Sequence, residues 1–116
     1  MMMPEMETDN VPARAWLVLT TLDDPTEAEH LAGELVHRGL AACVHILPPG
    51  RSVYMWKGNI ETDSEVTLLI KTSTEARDDL QAHLAEQHPY ETPEIIAVPI
   101  THGLPDYLDW ITQCTS

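Results

Sequence analysis

The sequence predicts an α+β fold, a ferredoxin-like βαββαβ sandwich with one further element at the C-terminus. Three observations lead there. Short, dense apolar runs of strand length alternate with segments whose apolar residues recur every three to four positions. A Gly58-Asn59 step between two extended runs marks a hairpin. The helical segments suffice to cover one face of the resulting antiparallel sheet, as in sandwiches that segregate their helices.

Taken in order, AWLVLTTL (15–22) is the first strand. Asp24 then serves as N-cap, Pro25 stands at the first helical position, and Glu27 at the third completes the spacing of a capping box. Ala28, Leu31, Ala32, Leu35 and Val36 form one apolar face, and Gly39 is the stop. LAACVHIL (40–47) begins a second strand, which Pro48-Pro49-Gly50 interrupts. Extension resumes in SVYMWK (52–57), with Tyr54 and Trp56 on one face and Val53 and Met55 on the other. The return strand, EVTLLIKT (65–72), alternates less cleanly, as a strand covered on both faces would. Thr72 and Glu75 have the spacing of a second capping box, followed by Ala76, Leu80 and Leu84 at four-residue steps. Pro89 ends that helix, because its ring excludes a helical conformation at His88. EIIAVPI (94–100) is a further strand, and PDYLDWI (105–111) a short helical turn or strand. Residues 1–13 lack a hydrophobic period and are expected to be a disordered acidic tail ahead of a single domain over 14–116.

Composition narrows the partners. Nineteen acidic residues against six basic ones give a formal charge of −13, a surface that repels phosphate backbones and argues against nucleic acid. No membrane segment is evident, and the acidic start MMMPEMETDN lacks the layout of a signal peptide. The two cysteines, Cys43 and Cys114, show no metal or disulfide spacing, so a reducing cytoplasm is expected. Helices on one side leave the other sheet face bare, and further copies of the chain are the simplest cover. No nucleophile–base set, zinc-protease motif or phosphate-cradling glycine loop occurs, so neither catalysis nor an organic cofactor is expected.

The stretch HPYETPE (88–94) raises the functional question. Its prolines account for a helix stop and for the entry of the next strand. They do not require Tyr90, Glu91 and Glu94. Glu65, Lys71, Tyr90 and Glu94 together suggest a polar cleft, or an ion pair that fixes assembly register. His88 reads either as a metal ligand or as a helix end whose charge suits the dipole. Cys43 reads as a small hydrophobe or, with Lys71 opposite, as a thiolate. Tyr54, Trp56 and Trp110 suit packing or a subunit interface. His30, Glu34 and His37, at i, i+4 and i+7, have zinc-compatible spacing on a face that is otherwise solvated.

RGLAACVHILPPGRSVYMWKGNIETDSEVTLLIKT and HPYETPEIIAVPITHGLPDYLDWI together closely resemble the CutA divalent-cation tolerance family, over about residues 16–112. The resemblance implies a ferredoxin-like, cytoplasmic homotrimer linked to copper and zinc tolerance. Trimers of this kind look like the PII signalling proteins, which bind effectors between subunits; a regulatory or scaffold trimer holding a small molecule or an unknown client protein is the alternative. The family's copper positions fall on Thr20, Gln87 and His88, of which only His88 keeps a metal-binding side chain. Cys43, Glu65 and Glu91, reached across a subunit boundary, are then the candidate substitute donors, for copper or zinc.

Overall fold

The structure, a computed structural model, describes residues 12–115; the tail assigned to residues 1–13 lies, but for its last two, outside them. Eight elements follow in order: β1 (Ala15–Leu22), α1 (Pro25–His37), β2 (Cys43–Ile46), β3 (Gly50–Trp56), β4 (Asn59–Ser73), α2 (Thr74–Gln87), β5 (Ile95–Ile100) and α3 (Pro105–Cys114). β2 and β3 pair in succession with β4, so they act as one interrupted strand, and the sheet runs β2-β4-β1-β5 with every pairing antiparallel. That is the ferredoxin-like order, with α3 as the additional element.

The helix starts follow local chemistry. Asp24 Oδ1 accepts the amides of Thr26 at 2.8 Å and Glu27 at 3.4 Å, with Pro25 in the first turn. α1 buries Ala28, Leu31, Ala32 and Leu35, but Val36, expected on that face, stays exposed. The cap of α2 falls one residue later than the spacing suggests. Ser73 accepts the Ala76 amide, while Thr72 is buried and donates to the Leu40 carbonyl at 2.8 Å. α3 is a full helix because Leu108 and Ile111 fall on one side, against Ala15, Ala42 and Ile100.

The main core lies between the sheet and the first two helices. Val18 and Leu22 of β1 and Leu68 and Ile70 of β4 meet Leu31 and Leu35 of α1 and Leu80 and Leu84 of α2. The alternation along β4 is strict, with Val66, Leu68, Ile70 and Thr72 buried and the intervening residues only half-buried. Within one chain the strand is thus covered on one face, where the sequence suggested both. Across the bare side run the rows His45-Leu69-Leu19-Ile96 and Cys43-Lys71-Leu17-Val98.

Within the core, Thr20 is fully buried and its hydroxyl has no hydrogen-bond partner. An unpaired buried hydroxyl costs more than the hydrogen bond it forgoes. Thr20→Val keeps the shape and removes the polar atom, so it is expected to raise unfolding free energy by about 1 kcal/mol in urea titrations.

β4 begins six residues earlier than the apolar pattern indicates, and its first half pairs with β3 as a projecting ribbon. The turn is Lys57-Gly58, one residue ahead of the expected step. Both residues have positive φ (50° and 82°), and Trp56 opposes Asn59, the two-residue geometry that matches strand twist. The ribbon draws the radius of gyration out to 16.3 Å, where about 13 Å suits a compact chain of this length.

Between β2 and β3 the register slips. Ile46 opposes Leu68, yet Gly50 opposes Glu65, so Leu47-Pro48-Pro49 faces one residue fewer on β4. This is a β-bulge on a strand edge, where prolines remove no needed donor. Because side chains alternate with period two, one inserted residue exchanges the faces of everything beyond it.

Candidate cation-binding groove

That exchange places the site. Directly opposed residues share a face, so Tyr54 stands with Glu61 and Ser52 with Asp63. One face of the ribbon is therefore aromatic and acidic, carrying Tyr54, Trp56, Glu61, Asp63 and Glu65. The other carries Val53, Met55 and Ile60. The Tyr54 hydroxyl donates to Asp63. Without the bulge, Tyr54 and Trp56 would point to the opposite side from these carboxylates.

The facing wall is the loop after α2. His88 leaves the helix in an extended conformation and is 7% exposed. Its Nδ1 accepts the Tyr90 amide at 3.1 Å, which puts the ring proton on Nε2, donating to the Thr21 carbonyl at 2.8 Å. The Tyr90 ring meets His88 edge-on, centroids 4.8 Å apart, and the Tyr90 hydroxyl donates to Glu65 at 2.7 Å. HPYETPE thus ties the end of α2 to β1 through His88 and to β4 through Tyr90.

Between ribbon and loop lies a groove of about 1060 Å³. Asp23, Glu61, Asp63, Glu65, Glu91 and Glu94 line it with Tyr54, Trp56 and Tyr90, and no Lys or Arg is among the lining residues. The negative surroundings act on the phenols. The hydrogen bond to Asp63, then desolvation and the nearby carboxylate charges, push Tyr54 up to about 12. Tyr90 is also raised, first by burial and then by its bond to Glu65.

Glu65, Tyr90, Glu91 and Glu94 therefore come together, as the polar cleft requires, but Lys71 does not join them. It lies six residues along β4 from Glu65, about 20 Å at strand rise. Its Nζ instead donates to Cys43 Sγ at 3.9 Å, across a direct strand pair. The four proposed metal donors do not converge. Both nitrogens of His88 are engaged, and Cys43 sits at the end of β2 away from the ribbon. Among the described residues no group of three or more His, Cys, Asp or Glu side chains is placed to hold a metal ion. A tight site within one chain does not fit these residues.

Elsewhere, Trp110 lies on α3 beside Tyr107, ring centroids 5.6 Å apart, away from the groove lining. Gln87 borders a separate cavity of about 510 Å³ with His30 and Glu34. Glu34 does not join His37 but bridges to His83 at 3.1 Å and to Arg38 at 3.4 Å, and the His83 contact lowers the Glu34 pKa. Asp23, Glu61 and Asp63 were not read from the sequence as site residues. The available signal was the alternation of Glu61, Asp63 and Glu65, overlooked because the apolar pattern starts only at Val66.

Residues 16–114 match the CutA1 divalent ion tolerance protein family. The chain belongs to this family. A divalent-cation tolerance protein CutA of Pectobacterium atrosepticum is 45% identical over 97 residues, 84% of this chain and 88% of the relative. The CutA of Xylella fastidiosa superposes with a TM-score of 0.86 at 41% identity, covering 90% of this chain and all of that one. The periplasmic divalent cation tolerance protein CutA of Archaeoglobus fulgidus gives 0.84 at 35% identity, over 88% and 99% of the two chains.

That last neighbour corrects the cytoplasmic residence expected from cysteine usage, since a CutA protein of the same fold is periplasmic. Two free cysteines are too little to specify a compartment when neither is needed as a crosslink. No helix among the described residues is long and apolar enough to cross a membrane.

Proposed function

We propose that this CutA1-family chain binds divalent cations, copper or zinc among them, as a homotrimer and without chemical turnover, and that the groove is where the cations gather. The observation that supports this most is the convergence of six carboxylates on one groove with no basic residue among its lining. Such a concentration raises the local cation activity. A divalent ion wants several oxygen or nitrogen donors in one shell, so a neighbouring copy or water completes the set. The bare sheet face and the apolar side of the ribbon favour such a neighbour, and the number three is what the resemblance to the CutA family implies.

The test is a calorimetric titration with Cu²⁺ and Zn²⁺ beside light scattering. One saturable site per chain is expected, weakened about tenfold by Glu65→Gln, equivalent to about 1.4 kcal/mol. Binding that ignores the groove variants and scales with the total acidic surface would refute it. A second reading, a regulatory trimer that holds a small molecule, is favoured by the size of the groove, which is far larger than an ion requires.

A further inference from the structure

Away from the groove, the sheet sets one thiol against one amine. Cys43 of β2 and Lys71 of β4 are direct partners in the antiparallel pairing, and the Ala42 amide donates to the Lys71 carbonyl at 2.9 Å, which holds the two backbones together. Directly opposed side chains leave the same face of a sheet, with Cβ atoms about 4.5–5.5 Å apart. Lys71 Nζ accordingly comes to 3.9 Å from Cys43 Sγ. Lys71 is one of two lysines in the chain; the other, Lys57, stands at the ribbon turn over Trp56.

The surroundings explain why this amine meets sulfur and no carboxylate. The row Cys43-Lys71-Leu17-Val98 carries no acid, and Lys71 makes no salt bridge among the described residues. A cation in an apolar row gains little there as a structural charge. Reactive cysteines lie in electropositive, partly exposed places, and half-buried Cys43 beside an ammonium meets both conditions.

We infer that Cys43 and Lys71 form an oxidative crosslinking site, at which hydrogen peroxide joins Sγ to Nζ as a sulfenamide. The sulfur first attacks peroxide: an S–O bond forms, the O–O bond breaks, the thiol is oxidised by two electrons to the sulfenic acid, and water leaves. The Lys71 amine, its ammonium proton released to solvent, then attacks the sulfur. The S–N bond forms, the S–O bond breaks, and the departing hydroxide takes a proton from nitrogen and leaves as water. The protein has lost two hydrogens in all. Sulfenic acids condense with backbone nitrogen in the same way. Here a side-chain nitrogen already stands within reach, and rotation about the lysine stem closes the gap with the strands undisturbed. The bond ties residues 28 apart in sequence and takes the charge of Lys71 off the bare face. Thiols undo it, so the site is reversible, and it is independent of the cation groove.

The experiment treats the full folded chain with hydrogen peroxide, blocks the remaining thiols and digests it for mass spectrometry. The peptides carrying Cys43 and Lys71 are expected joined, at the sum of their masses less two hydrogens, and dithiothreitol is expected to separate them. Unfolding in urea before oxidation is expected to lower the yield at least about tenfold, because the step depends on the two groups being held together. Lys71→Arg keeps the positive charge and is expected to leave Cys43 as the sulfinic acid, with no crosslink. Separate peptides from the oxidised folded chain overturn the proposal, as does a joined pair that retains oxygen. A crosslink to Lys57 in equal yield, or a yield indifferent to urea, overturns it as well.

Discussion

His88→Ala is expected to lower the unfolding free energy by about 3 kcal/mol, measured by urea denaturation. The imidazole is nearly buried and carries two hydrogen bonds whose partners are backbone groups of separate elements, the Thr21 carbonyl and the Tyr90 amide. Truncation leaves both unpaired in a poorly solvated place, each at about 1–3 kcal/mol, and opens a cavity besides. The functional consequence runs through the loop. Tyr90 loses the bond that positions it, and with it Glu65 loses the phenol that holds its carboxylate. Weaker cation binding in His88→Ala would therefore not identify a metal–imidazole bond. Tyr90→Phe separates the effects, because it keeps His88 and its two partners while releasing Glu65. A cost below about 0.5 kcal/mol for His88→Ala, the range of ordinary surface substitutions, would mean that the ring does not bridge the two elements in solution.

The same histidine marks where sequence reading stops. Its place at the end of a helix was legible, since a following proline forbids helical backbone. Its partners were not, because Thr21 lies 67 residues away along the chain. Strands carried by burial were legible in the same way, and β1 was read at its observed bounds from AWLVLTTL. The first half of β4 was missed because Asn59 to Ser64 contains one apolar residue and is held by pairing with β3. That omission hid the row of acidic side chains, since Glu61 and Asp63 fall between the expected turn and the expected strand. The bulge at Leu47-Pro48-Pro49 was visible as an interruption, but the exchange of faces it causes depends on register, which pairing alone reveals. Lys71 shows the converse. Residue type suggested a place in the cleft with Glu65, and distance along a strand excluded it.

Under the proposed homotrimer, Ile96→Glu is expected to yield a single chain by light scattering, and to lower the thermal midpoint by about 15 °C, from a loss of about 3 kcal/mol. Within one chain the change ought to cost little, because Ile96 is 52% exposed at the edge of the sheet. It is also one of a row, opposing Leu19, which in turn opposes Leu69, while Val98, 48% exposed, continues the apolar surface through Leu17. A bare sheet face of this kind beside a ribbon exposing Val53, Met55 and Ile60 is more apolar surface than a lone soluble chain ordinarily presents. Covering it with copies of the same chain links folding to assembly, so that stability depends on protein concentration. A glutamate at the centre of such a contact loses its water without gaining a partner, whereas Ile96→Leu retains the apolar surface and is expected to leave both mass and midpoint near wild type. If Ile96→Glu keeps the wild-type mass and midpoint, this face is open in solution. Any contact between chains must then be made elsewhere, by the ribbon or by the exposed Leu104, Tyr107 and Trp110 at α3.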